Sequence, residues 1–136
     1  MARRLFEEFQ AGLERGDPGA WFDPASVADE YEWIVPTFLD RPVWRGRDGF
    51  VEFIRTWTEQ FEDWSIWVER WIDAGEDRVV VLTRQSGTGK ESRVPVELDL
   101  GQVWEFEAGR LVRMWAYTSH AEALEAAGLS EYQPPD

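Results

Sequence analysis

Residues 96–117 read VELDLGQVWEFEAGRLVRMWAY. They form two runs rich in branched and aromatic residues, joined at Glu107-Ala108-Gly109, and this pattern is typical of a β-hairpin. Every second position of the first run gives a row that is apolar except for one amide: Val96, Leu98, Leu100, Gln102, Trp104 and Phe106. Such a row predicts a strand with one face turned toward an apolar interior. Gln102 then needs a partner, because leaving its amide unpaired would cost about 1–3 kcal/mol.

The rest of the chain supplies helices before this hairpin and further strands beside it. The pattern predicts a helix that ends at Gly16, a short helix from Asp17 through Phe22, a strand over 31–35, an irregular loop over 36–45 and a long amphipathic helix from Gly46. Strands over 64–73, 78–86, 93–106 and 110–118 follow, and a last helix opens at a Ser119-to-Glu122 capping box and ends at Gly128.

This order predicts an α+β fold. A strongly curved antiparallel sheet would wrap around the N-terminal helices and the long amphipathic helix, leaving a conical pocket between them. We expect one domain over residues 1–136, with its core at about 3–129 and a loose tail at 130–136.

Composition limits the partners and the chemistry. A formal net charge of −13 disfavours nucleic acid and anionic membrane surfaces. The absence of cysteine and the single histidine leave no convincing metal site, no nucleotide fingerprint appears, and we expect no cofactor. No apolar run suits a membrane span or a signal peptide, so the predicted compartment is the cytoplasm. The nine tryptophans and eight phenylalanines suit a wide interior or a lined cavity.

Four stretches in this order resemble one family: Tyr31-Glu32-Trp33 before a proline loop, Trp44-Arg45-Gly46-Arg47 at the start of the long helix, the turn over 73–79 and the closing segment over 107–129. The chain resembles the nuclear transport factor 2-like superfamily, a cystatin-like α+β fold, and within it the SnoaL-like, polyketide cyclase-like group. The resemblance implies a ligand pocket on the concave sheet face. It also implies pairing of two copies through the convex face.

The resemblance also assigns positions. The protonated acid of the ketosteroid isomerases falls on Gln102, and their base falls near Val35. The last-strand carboxylate of the limonene epoxide hydrolases falls on Ala116, and their other polar pair falls near Thr83 and Gln85. Carboxylates that those enzymes use are therefore replaced here by neutral residues.

The predicted pocket combines apolar, aromatic and neutral hydrogen-bonding side chains, as small-molecule sites do. Its candidate residues are Tyr31, Trp33, Phe53, Trp57, Thr83, Gln85, Gln102, Trp104, Met114, Ala116 and Thr118. Glu32 is the one carboxylate we nominate as a general base, because an apolar wall would raise its pKa. Strand alternation allows only one of Glu32 and Trp33 to face the pocket, and the sequence leaves both arrangements open.

Two functions remain open at this level. The first is a cofactor-free isomerase or cyclase acting on an apolar carbonyl compound, such as a polyketide or a steroid, with Glu32 as base and Gln102 or Tyr31 polarising the carbonyl. The second is a non-catalytic module of the same fold that binds a hydrophobic ligand or serves dimerisation.

The sequence also predicts a homodimer. In alternating strands, four aromatic residues fall on the face opposite the pocket: Trp67, Trp71, Trp115 and Tyr117. A sheet face carrying such groups is a poor surface for water and a good surface for a second copy.

Overall fold

The computed structural model describes residues 2–35 and 41–129. Within these ranges the elements are α1 (Ala2–Glu14), β1 (Val27–Ile34), β2 (Val43–Arg45), α2 (Gly46–Thr58), β3 (Phe61–Asp73), β4 (Arg78–Gly89), β5 (Pro95–Glu107), β6 (Arg110–Tyr117) and α3 (His120–Ala126). The predicted loose tail over 130–136 lies outside the described residues.

The strands form one six-stranded sheet in the order β2-β1-β6-β5-β4-β3. Strands β3 to β6 make the predicted antiparallel meander, in which Gln102 faces Val81 on β4 and Ala116 on β6. Strand β1 pairs in parallel with β6, so that Trp33 lies beside Met114. The sheet is therefore mixed, whereas the sequence predicted an antiparallel one.

The sheet packs differently on its two faces because neighbouring residues point in opposite directions. On one face, Val81 and Trp104 join a large aromatic core with Phe9 of α1 and Phe53 of α2. On the other face, Val80, Leu82 and Val103 pack against Ala123 and Ala127 at α3. The helices thus cover both faces, with α1 and α2 on the concave side that carries the predicted pocket residues.

Glycine allows α3 to approach the sheet closely. A side-chain carbon at Gly101 would meet the Cβ of Ala123 and the carbonyl of Ser119. The Ser119 hydroxyl accepts a hydrogen bond from the Glu122 amide at 3.1 Å, which is half of the predicted capping box. The Glu122 carboxylate accepts instead from the amide and hydroxyl of Thr118.

Two local predictions on the N-terminal side were wrong. Residues 17–22 form turns rather than a short helix, with Ala20 N–H donating to the Asp17 carbonyl at 3.2 Å. Such a short segment containing Gly19 cannot repay the cost of starting a helix. The loop predicted over 36–45 contains β2, which pairs with the end of β1 through Ile34 and Val43. Its residues 36–40 lie outside the described part of the chain.

A β-bulge changes the face of Trp71. Val68 pairs with Thr83 and Arg70 pairs with Leu82, so Glu69 is an extra residue in β3. The bulge reverses the alternation beyond it, and Trp71 points to the concave core. Its ring packs edge-on against Trp104, with ring centroids 5.8 Å apart. The placement of Trp71 on the convex face was therefore wrong.

Candidate functional site

A cavity of about 130 Å³ lies between the concave face of the sheet and helices α1 and α2. Its lining is mostly aromatic and aliphatic. It consists of Leu5, Phe6, Phe9, Trp21, Trp33, Val35, Phe50, Phe53, Ile54, Trp57, Trp64, Ile66, Gln85, Leu100, Gln102, Trp104, Met114, Ala116, Tyr117 and Thr118. Among these described residues there is no carboxylate, histidine, lysine or arginine.

The structure brings nine of the predicted pocket residues together around this cavity. They are Trp33, Phe53, Trp57, Gln85, Gln102, Trp104, Met114, Ala116 and Thr118. The other two predicted residues, Tyr31 and Thr83, are fully buried outside the lining. The Tyr31 hydroxyl donates to the Met114 sulfur at 3.0 Å, and the Thr83 hydroxyl donates to the Leu100 carbonyl at 2.8 Å. Burial raises the pKa of Tyr31 well above its ordinary value.

Gln102 points into the cavity and is held by its neighbour on the same face. The indole N–H of Trp104 donates to the side-chain oxygen of Gln102 at 2.8 Å. An indole N–H can only donate, so the atom it faces must be the amide oxygen. The amino group of Gln102 then lies at the other end of the amide, free to donate.

Gln85 repeats this arrangement with two indoles. Its side-chain oxygen accepts from Trp57 on α2 at 2.9 Å and from Trp64 on β3 at 3.0 Å. Gln85 therefore ties the long helix to the sheet and has its oxygen fully used. Its amino group is the remaining polar end, as in Gln102.

Two other lining tryptophans have buried indole N–H groups without a hydrogen-bond acceptor among the described residues. These are Trp21 and Trp33. A buried unpaired donor costs about 1–3 kcal/mol, so the lining is short of acceptors.

Glu32 does not belong to this site. It lies on the strand face opposite Trp33, with its carboxylate 3.3 Å from Arg45 and 3.8 Å from Arg113. Arg113 also binds Glu105 at 2.7 Å, which makes an ion-pair group on the outside of the sheet. Pairing with Arg45 and Arg113 favours the outward face for Glu32, and Trp33 takes the inward face. The geometry thus removes Glu32 as a base for chemistry in the cavity.

The remaining polar candidates outside the cavity have structural partners. The His120 Nε2 lies 2.9 Å from the carbonyl oxygen of Thr83 and fixes the start of α3 to β4.

No group of three or more histidine, aspartate or glutamate side chains suited to a metal ion occurs in the described residues. None of the helices in the described ranges is long and apolar enough to cross a membrane.

Sequence reasoning missed most of the helical side of the cavity, where it predicted only Phe53 and Trp57. The lining residues that were not predicted include Phe6, Phe9 and Trp21 near the N-terminus and Phe50 and Ile54 on α2. The helical periodicity shows that Phe6, Phe9, Phe50 and Ile54 are buried. It does not show which of them border a space and which only fill the core.

The family can now be stated from a match to the SnoaL-like domain over residues 3–114, which is most of the chain. The chain belongs to the SnoaL-like domain family. A comparison with curated proteins finds no match. The residues matched to the SnoaL-like domain run from α1 to the first part of β6 and therefore include most of the cavity wall.

Solved structures show the same fold as this SnoaL-like chain. A nuclear transport factor 2-like protein from Burkholderia thailandensis is 26% identical, with a TM-score of 0.69 over 96% of each chain. A putative SnoaL-like polyketide cyclase from a Jannaschia species is 16% identical, with a TM-score of 0.68 over 97% of this chain and 92% of that one. A protein of ketosteroid isomerase-like fold from Catenulispora acidiphila, in complex with trimethylamine, is 14% identical, with a TM-score of 0.67 over 96% and 97%.

Proposed function

We propose that this SnoaL-like chain binds a small apolar molecule in its central cavity and does not use the cavity for acid–base catalysis. The observation that carries the proposal is the lining: aromatic rings, aliphatic groups and neutral amides, with no carboxylate or histidine among the described residues. Small-molecule sites have this composition. Proton transfer from a carbon acid would need a base within hydrogen-bonding reach, and Glu32 lies on the other face of the sheet.

The cavity volume favours a ligand with a single ring. An apolar cavity of about 150 Å³ in another protein takes up benzene and otherwise stays dry. The cavity here, at about 130 Å³, is close to that size. A six-membered ring therefore matches the space better than a fused polyketide or a steroid.

The aromatic rings of the cavity wall are held in position by packing against other aromatic rings. Trp33 meets Phe53 edge-on at 5.4 Å between centroids, and Trp71 meets Trp104 edge-on at 5.8 Å. Edge-to-face pairs of this kind are favourable and hold the rings in place. A ligand therefore binds to a preformed surface, and little conformational entropy is lost in ordering these side chains.

The fold neighbours support a small ligand without naming it. The Catenulispora protein was crystallised with trimethylamine, a molecule smaller than a six-membered ring. The Jannaschia protein is described as a putative polyketide cyclase. A catalytic role of the cavity is therefore tested as well.

The test is a calorimetric titration of the protein with methylenecyclohexane and toluene. We expect one saturable site per chain. Ala116→Leu adds bulk to the cavity wall and should abolish binding, whereas Ala126→Leu makes the same change at an exposed position of α3 and should not. Equal binding by both variants would place the site elsewhere and contradict the proposal.

The catalytic alternative has its own readout. A ketone that exchanges its α-protons with deuterium faster in the presence of the protein would reveal a base in the site. We expect no acceleration for cyclohexanone above buffer. Acceleration that disappears in Ala116→Leu would show that the cavity is catalytic.

A further inference from the structure

The free polar groups that face the cavity are mainly donors. Gln102 gives its oxygen to Trp104, and Gln85 gives its oxygen to Trp57 and Trp64. Both glutamines are only 7% exposed. Neither amino group has an acceptor among the described residues, so each is left to donate into the cavity.

The acceptors of the lining are largely used. The Met114 sulfur already accepts from the Tyr31 hydroxyl at 3.0 Å. The Thr118 hydroxyl donates to the Glu122 carboxylate at 2.9 Å and can still accept, but Thr118 is exposed and lies just after β6. Within the described part of the chain, the indole N–H groups of Trp21 and Trp33 have no acceptor.

We propose that the cavity selects single-ring ligands that accept hydrogen bonds but do not donate them, such as cyclic ketones and ethers, through the amino group of either Gln85 or Gln102. This inference rests on the proposed binding function and adds the chemical class of the ligand. A carbonyl oxygen offers lone pairs to either amino group and brings no hydrogen of its own. A ligand hydroxyl brings a donor into a lining that is already short of acceptors, and an unpaired polar group of this kind lowers affinity.

Gln85 is a second anchor, separate from Gln102. Strand β4 places it four residues beyond Val81, the pairing partner of Gln102 on that strand. At roughly 3.3 Å per residue this is about 13 Å along the strand, so the two amino groups enter from different parts of the wall. Trp57 and Trp64 hold the Gln85 amide from both α2 and β3, which fixes its direction.

Three ligands of nearly equal size test the inference: cyclohexanone, methylenecyclohexane and cyclohexanol. For the wild-type protein we expect cyclohexanone to bind about tenfold more tightly than each of the other two, a factor that corresponds to about 1.4 kcal/mol. Equal affinities, or tightest binding of cyclohexanol, would overturn the inference while leaving the cavity-binding function intact. If none of the three binds, the proposed function itself fails.

Gln102→Glu and Gln85→Glu then identify the anchor. Each variant keeps an oxygen for its indole partner and replaces the amino group by a second oxygen. Measured at pH 9, where the new carboxyl is best able to ionise, the variant at the donating position should lose about tenfold in cyclohexanone affinity and little in methylenecyclohexane affinity. Unchanged cyclohexanone binding in both would show that neither amide donates. If a variant does not fold, as judged by its melting curve, the wild-type ligand order still decides the question.

Discussion

The indole N–H of Trp104 donates to the side-chain oxygen of Gln102 at 2.8 Å, between two residues that lie two positions apart on the same face of β5. This bond explains why an amide side chain, that of Gln102, lies among the apolar residues on the inward face of β5. The oxygen satisfies a buried indole, and the amino group remains for the cavity. The sequence predicted that Gln102 has a partner, and the structure supplies a protein donor for its oxygen.

The bond changes what a substitution at Gln102 should do. Gln102→Leu would leave the Trp104 N–H buried without a partner, so we expect the free energy of unfolding to fall by about 1–3 kcal/mol. Urea denaturation measures the effect.

A double-mutant cycle with Trp104→Phe separates this bond from packing. Trp104→Phe removes the donor, and Gln102→Leu should then cost much less than it does in the wild-type protein. A coupling free energy of about 0.5–3 kcal/mol is expected between the two positions. Additive single costs would show that the bond contributes nothing to stability.

Burial of Tyr31 predicts a specific loss of stability in alkali. The pKa of the buried Tyr31 is raised by its removal from water, whereas in the unfolded chain it ionises near its ordinary value of about 10. Below that pH the phenol is protonated in both states and stability is unaffected. Above it the unfolded state loses the proton first, so the free energy of unfolding falls by about 1.4 kcal/mol per pH unit until the folded pKa is reached.

Tyr31→Phe removes this titration and should flatten the loss of stability between pH 10 and 11, as measured by urea denaturation at each pH. Tyr117→Phe is the comparison, since partial burial raises the pKa of Tyr117 as well while Arg78 opposes that rise. A steeper or unchanged alkaline loss in Tyr31→Phe would contradict the buried, protonated phenol.

The structure changes which residues we expect at the contact of the predicted homodimer. Trp71 lies in the concave core, and Trp115 and Tyr117 pack beside the residues under α3, whereas Trp67 is 37% exposed. We therefore expect any dimer through this face to be centred on Trp67. Light scattering should give twice 15.9 kDa for the wild-type protein.

Trp67→Glu should shift the protein to the monomer mass, since it places a charge at the centre of the contact. Val94→Glu, which changes another exposed apolar residue outside that face, should remain dimeric. A wild-type protein that scatters as a monomer at micromolar concentration would refute the dimer.

The sequence was most informative where one period covers a whole element. The row around Gln102 and the stripe from Phe50 to Trp57 each show one regular period, and Gln102, Trp104, Phe53 and Trp57, which were predicted as pocket residues, line the cavity. Each depends only on residues close in the chain. The fold class follows from the same periodicity and the order of the elements.

Other features depended on contacts that no local pattern contains. The choice between Glu32 and Trp33 is linked to ion pairs with Arg45 and Arg113, which come from two other strands. The direction of Trp71 is set by an extra residue at Glu69. The role of Gln85 requires Trp57 and Trp64, one on a helix and one on a strand. Alternation alone does not show which of the two sets of alternate residues faces the core, because tertiary contacts decide this.

The most direct test of the account is an NMR titration of ¹⁵N-labelled protein with cyclohexanone, following the side-chain amides of Gln85 and Gln102 and the indole N–H of Trp104. The account predicts saturable shifts of the side-chain amide protons of Gln102 or Gln85 toward stronger hydrogen bonding, while the Trp104 indole stays bonded to the Gln102 oxygen and its signal moves little. Shifts that saturate only at residues outside the cavity, or no saturable shift at either Gln102 or Gln85, would contradict it.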